Sequence, residues 1–212
     1  MGTINKGILG GFSGKVGTVI GATWKGIDYM RSKSSKKPGN FSDAQLEQQA
    51  KFGLMMKFLR TFGVLLSTSF RDFANGITGP NAALAYNIRN AITGVYPAFT
   101  INYSLVLLSR DNLQNATSPA AAAGTAGKVN FSWTDNSGAG TAKATDQAIL
   151  MVHCPAAGQT VYTVAGAARN AEAAQLDVTA FSGKTVQTWI AFITEDGNDV
   201  SDSLFTGEVN VS

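Results

Sequence analysis

The chain contains one cysteine, Cys154, and one histidine, His153. A single cysteine excludes an intrachain disulfide. The two residues together supply too few ligands for a zinc site. They are neighbours in the apolar run Ile149-Leu150-Met151-Val152-His153-Cys154. On a strand, adjacent side chains point to opposite faces, which argues against a Cys–His dyad and favours a small buried thiol. Charge is scarce too: charged residues are 15% of the chain, against about 25% in ordinary globular domains. No run of about 18 apolar residues exists, so no transmembrane helix is expected. The start Met1-Gly2-Thr3-Ile4-Asn5-Lys6 lacks the apolar core of a secretory signal, so cytoplasmic synthesis is expected, with any release occurring as part of an assembled particle. No catalytic constellation stands out. The acids near residues 195–202 lack the spacing and terminal Glu of a calcium loop and read as a charged turn. An enzyme, a metal and a cofactor are therefore not expected.

What is there is a polarised charge distribution over 212 residues. Residues 1–72 hold eight Lys and three Arg against four acids, a net of +7. Residues 73–127 carry a net of +1, and residues 128–212, with nine acids against four cations, a net of −5. A basic front and an acidic back suggest one chain's head meeting another's tail, or an arm gripping an anionic partner. Hydrophobic content is 44%, enough for a core, and glycine is high at 23 residues.

Three regions follow from pattern. Residues 1–40 form a basic, Gly-rich arm. Within it Val16, Thr18, Ile20, Ala22 and Trp24 alternate, and Ile27, Tyr29 and Arg31 continue the face beyond Lys25-Gly26. Two short strands joined there are expected, too glycine-rich to order by themselves. Residues 41–98 form a helical hairpin. Ser42 and Gln45 fit a capping box, and Leu46, Ala50, Met55, Phe58, Phe62, Leu65 and Leu66 mark one helix from about 43 to about 70. A second helix starts at Gly79-Pro80-Asn81 and stops at Gly94. Residues 99–212 turn to a period of two. A strand is expected near 100–109, and the segment Thr117-Ser118-Pro119 with its four alanines reads as a linker or long loop. Strands are then expected at 128–134, 146–153, 159–164, 174–179, 185–194 and 203–211, the signature of a β-sandwich. The fold class is α+β.

Val129-x-Phe131-Ser132-Trp133 resembles the second strand of a fibronectin type III or immunoglobulin-like domain, where a Trp packs in the core. Val186-x-x-Trp189-Ile190-Ala191-Phe192, followed by Asp196-Gly197-Asn198-Asp199-Val200-Ser201, resembles the penultimate strand and its turn. The segment 100–112 would supply the first strand. The likeness implies a fold and is nearly silent on function. The whole chain resembles an uncharacterised family of similar length found in Bacteroidota. The carrying motifs are Lys6-Gly7-Ile8-Leu9-Gly10-Gly11-Phe12-Ser13-Gly14-Lys15-Val16-Gly17, then Trp24-Lys25-Gly26, then Ser132-Trp133-Thr134-Asp135-Asn136. It implies an arrangement and no site.

These features point to a non-enzymatic structural subunit of a virion, tail or filament, self-assembling through its arm and sandwich. The candidate interface is Lys15, Trp24, Lys25, Arg31, Lys33, Lys36 and Lys37 on the arm, facing Glu195, Asp196, Asp199 and Asp202. The partner is another copy or another structural protein. Two alternatives compete: nucleic-acid binding by the arm, with Trp24 and Tyr29 stacking on bases, and a carbohydrate-binding or adhesive sandwich.

Overall fold

The structure is a computed structural model that describes residues 3–4, 11–24, 26–34, 39, 41–74, 76–125 and 127–212. It divides into two compact units, residues 1–43 and 44–212.

The first unit is an antiparallel ribbon of four strands in sequence order: β1 (Thr3–Ile4), β2 (Phe12–Val16), β3 (Val19–Trp24) and β4 (Ile27–Ser32). The expected β3–β4 hairpin forms, with Trp24 opposite Ile27. A second turn at Gly17-Thr18 was not expected. It pairs Val16 with Val19, so Val16 lies opposite the Ile20–Ala22–Trp24 face and Thr18 lies in no strand. The alternation read through residues 16–24 ignored that Gly17 sits at φ +60, where a turn is cheap. Gly21 is fixed by packing: a Cβ there would run into the Phe12 carbonyl and lie 3.0 Å from the Phe12 ring.

The second unit has three layers. Helix α1 (Asp43–Leu59) begins directly after Ser42, as expected. The single long helix does not persist. A 3₁₀ turn at Arg60–Phe62 leads into Gly63 at φ +49, and α2 (Leu65–Ser69) follows. Glycine enters the left-handed region without steric cost and so breaks the helix while the apolar stripe continues. Helix α3 (Gly79–Asn90) starts where expected. It ends before Gly94, which turns the small hairpin of β5 (Ile92–Thr93) and β6 (Thr100–Ile101).

The strand expected over 100–109 is cut to two residues. Asn102 accepts hydrogen bonds from the Ser104 amide at 3.2 Å and its hydroxyl at 2.6 Å, and the chain coils into a 3₁₀ turn at Tyr103–Leu105. The extended stretch beyond is held by side chains. Asn87 donates to the Leu107 carbonyl at 2.8 Å and accepts from the Leu107 amide at 2.9 Å. Ser69 Oγ donates to the Leu108 carbonyl at 2.7 Å, and Ser109 Oγ to the Ser201 carbonyl at 2.7 Å.

The first sandwich strand is instead the supposed linker, β7 (Thr117–Ala123). It pairs with β8 (Lys128–Thr134) across an irregularity between Thr117 and Ala120. Alanine is a poor strand former, so the segment's own preference did not reveal it; the ladder offered by β8 decides. The remaining strands match expectation closely: β9 (Gln147–Cys154), β10 (Gln159–Thr163), β11 (Ala173–Asp177), β12 (Thr185–Ile193) and β13 (Leu204–Asn210). They make a sheet β11-β8-β7 facing a sheet β10-β9-β12-β13, a three-on-four immunoglobulin/fibronectin III-like sandwich.

Between the sheets lie Val129, Phe131, Trp133, Leu150, Val152, Cys154, Ile190 and Phe192. The other face of β9 and β12, with Ile149, Met151, Trp189 and Ala191, is covered by Met55, Phe58, Phe62 and Leu66 from the helical segment. The four-stranded sheet is thus buried on both sides. That is why its two central strands read as unbroken apolar runs and not as alternating ones.

Candidate functional site

Two surfaces and one buried polar network carry the chemistry of this chain. The first surface is one face of the ribbon. Residues paired across an antiparallel ladder share a side of the sheet. The registers Lys15–Ile20–Arg31, Ala22–Tyr29 and Trp24–Ile27 therefore put Lys15, Ile20, Ala22, Trp24, Ile27, Tyr29 and Arg31 on one face. Asp28 pairs with Thr23 on the other, where its carboxylate accepts from the Thr23 hydroxyl at 2.5 Å. The face thus joins two cations to two aromatics and is free of carboxylates among the described residues. Its large apolar groups are open: Trp24 is 54% and Ile27 69% exposed. The ribbon is only one layer thick and cannot bury both sides of itself. Lys33 is exposed just past β4, and its amide donates to the Thr18 carbonyl at 2.7 Å. Lys25, Lys36 and Lys37 lie outside the described residues.

The second surface is acidic, and it is not the linear patch expected. Glu195 and Asp196 are exposed on the turn after β12, beside Lys143, around an open depression of about 310 Å³. Asp196 is held low, at about 2, because the Thr194 hydroxyl and the Asn198 amide and side chain donate to its carboxylate. Its hydrogen-bonding capacity is largely used in shaping its own turn. Asp199 turns elsewhere. Its carboxylate lies within 4.8 Å of those of Asp72 and Asp111. Asp202 is tied to the same corner, accepting from the Asp111 amide at 3.2 Å, and partial burial raises its carboxyl above the usual range. The Arg71 guanidinium donates to the Asn198 carbonyl and anchors the corner from the helical side. Phe73 and Ile77, both more than a third exposed, follow Asp72 in sequence, and the Arg110 guanidinium lies 4.2 Å from the Phe73 ring centroid.

Three carboxylates this close repel one another; the Arg71 guanidinium, 3.7 Å from Asp72, offsets part of that repulsion, and the corner attracts further positive charge. Ammonium, guanidinium and a hard divalent ion all fit that electrostatic demand. Asp72 and Asp199 are exposed and Asp111 is half-buried, so the corner is an open surface and not a closed cage. Sequence reading missed Asp72 and Asp111. They are 39 residues apart, and Asp111 is 88 residues from Asp199, so no local pattern could unite them.

The buried network was also missed. Arg169 and Asp146, both 0% exposed, form an ion pair at 3.1 Å. The guanidinium donates further to Asn136 Oδ1 at 2.8 Å and to the Gln114 carbonyl at 2.7 Å, and it stacks 4.2 Å from the Phe192 ring centroid. The Trp133 indole donates to the Arg169 carbonyl at 2.7 Å. The network closes one end of the sandwich, and every direct partner of its cation belongs to the fold.

His153 and Cys154 behave as their adjacency on a strand requires. Cys154 lies in the core between the sheets. His153 points to the helices, edge-on to Phe58 at 4.9 Å, with Nδ1 2.9 Å from the Thr160 hydroxyl. Burial depresses its pKa to about 4.

The chain belongs to the family of unknown function DUF6266, whose sequence profile matches residues 11–207. No curated protein matches it. Among solved structures, the fibronectin type III domain of the human collagen alpha-1(XX) chain is similar at a TM-score of 0.33 and 15% identity, covering 49% of this chain and 91% of that domain.

Proposed function

We propose that this member of a family of unknown function is a non-enzymatic structural subunit, a component of a virion, tail or filament, and that its ribbon is the assembly arm. The observation that carries this reading is the Trp24–Ile27–Tyr29 face: large apolar groups left open on a sheet one layer thick, rimmed by Lys15 and Arg31. Exposed apolar patches of this kind mark interaction surfaces. The acidic corner of a second copy is the complementary partner. Residues 1–43 hold six Lys and one Arg against two acids, a net of +5, while residues 44–212 carry a net of −2. A contact between two different patches is head-to-tail, and it builds rings or filaments instead of closed pairs.

Sedimentation velocity of the full-length protein tests this. Wild type is expected to form concentration-dependent assemblies, and Lys15→Glu with Arg31→Glu to shift them towards monomer. Asp72→Lys with Asp111→Lys should do the same. Mixing the two charge-reversed proteins should restore assembly, because the reversed patches attract again. Monomeric wild type at every concentration would sink the reading.

One arrangement favours a second reading. Trp24 and Tyr29 share their face with Lys15 and Arg31 while Asp28 faces away, which suits stacking and phosphate contact with single-stranded nucleic acid. Titration with a single-stranded oligonucleotide distinguishes them. Binding that weakens steeply with salt, in a protein that stays monomeric, would favour nucleic acid.

A further inference from the structure

The ribbon has a second face, and its coverage follows from the assembly reading, on which this inference rests. Val16 and Val19 are opposite each other, and Met30 stands opposite Gly21, two residues along from Val19. All three therefore project from the side opposite Trp24. Val16 is 51% and Met30 71% exposed. This side carries no cation among the described residues. Its carboxylate, Asp28, lies towards the Gly26 turn, away from Val16 and Val19 at the Gly17 turn.

A single docking surface can cover only one of the two faces. Six strand residues span about 20 Å and three strands about 14 Å, so each face offers on the order of 300 Å². A contact through one face then removes roughly 600 Å² from both partners together, about half of the smallest area that a specific, stable pair buries. Either face alone is too small to hold a subunit.

We propose that the Val16–Val19–Met30 face packs against the same face of a second copy about a two-fold axis, while the Trp24–Tyr29 face seats on the acidic corner of a third. Charge decides which face does which. Two cationic faces brought together would confront Lys15 and Arg31 with their own copies, whereas the second face would bring Val16, Val19 and Met30 together, with Ser32 beside Val19 and the single carboxylate, Asp28, two residues from Met30 towards the Gly26 turn. Among the described residues, that face also lacks the cations that an acidic corner attracts. A two-fold contact needs only a self-complementary patch. Because each contact falls short alone and each arm makes both, assembly is cooperative, with a sharp concentration threshold and little dimer.

The test uses full-length protein. In sedimentation velocity, Val16→Thr with Met30→Thr should raise the assembly threshold about tenfold or more, since several apolar side chains lose their burial at each contact. In a separate protein, Met30→Cys should be joined to the Met30→Cys of another copy by a short bis-maleimide, giving dimers on a denaturing gel. Ile27→Cys, on the face assigned to the acidic corner, should not; the native Cys154 is buried. An unchanged threshold in the threonine variant, with assembly still lost in Lys15→Glu/Arg31→Glu, would show that one face suffices and overturn the inference while sparing the assembly reading. Equal cross-linking of Ile27→Cys would overturn the assignment of faces. A wild type that never assembles would overturn both.

Discussion

Replacing Arg169 by Met isolates the contribution of the buried ion pair. Methionine keeps an unbranched stem of similar reach, so the packing against Phe192 suffers little while the charge disappears. What remains is the Asp146 carboxylate, fully buried. Its Oδ1 has no hydrogen-bond partner, and its Oδ2 keeps the Lys143 amide at 2.8 Å. Removing one partner of a buried pair costs about 3–5 kcal/mol, because the other charge is stranded in a medium that solvates it poorly. The donations to Gln114 and Asn136 vanish as well. With a urea slope of about 2–3 kcal/mol per molar, the midpoint should fall by about 1–2 M. Tryptophan fluorescence reports the melt, since Trp133 and Trp189 are buried and Trp133 is bonded to Arg169 itself. The double variant Asp146→Leu/Arg169→Met removes the stranded charge and should recover most of the loss, as apolar replacements of buried ion pairs do. A loss below about 1 kcal/mol in the single variant, or a double variant no better than the single, would refute the picture of a dry, stranded carboxylate.

Trp133→Ala should cost about 3–5 kcal/mol in the same melt, from lost burial in the sandwich core; a change under about 1 kcal/mol would place the indole in solvent. His153 supplies a pH test. Its folded pKa of about 4 lies below the usual value near 6.5, so the folded state binds fewer protons than the unfolded state between these limits. The associated stability is present above pH about 6.5 and falls as pH drops towards about 4, by about 3 kcal/mol in all. His153→Phe should flatten that part of the stability-versus-pH curve, and an unaltered curve would show that other groups set it. Deleting residues 1–40 should leave the urea midpoint of the rest unchanged, because among the described residues neither core cluster includes an arm residue; sedimentation of the same protein should show that assembly is gone. A destabilised body would mean the arm contributes to its fold.

Features with a local cause are legible in the amino-acid pattern. The β3–β4 hairpin, the starts of α1 and α3, six of the seven sandwich strands and the burial of Trp133 all follow from periodicity and turn chemistry. The opposed faces of His153 and Cys154 follow from the two-residue repeat of a strand. Tertiary structure decided the rest. The alanine segment at 117–123 becomes a strand because β8 presents a ladder to it, a preference its own residues do not encode. The stretch expected to be a strand after residue 100 is instead taken up by Asn87, Asn102, Ser69 and Ser109, side chains that compete with a ladder for the same backbone groups. The outer face of β9 and β12 is covered by helices that precede it in the chain, so the apolar runs show burial without saying by what. Opposed charge along the chain was legible as a total. Only folding gathered Asp72, Asp111 and Asp199 into one corner while leaving Glu195 and Asp196 outside it, because carboxylates become neighbours through loop closure and not through sequence distance.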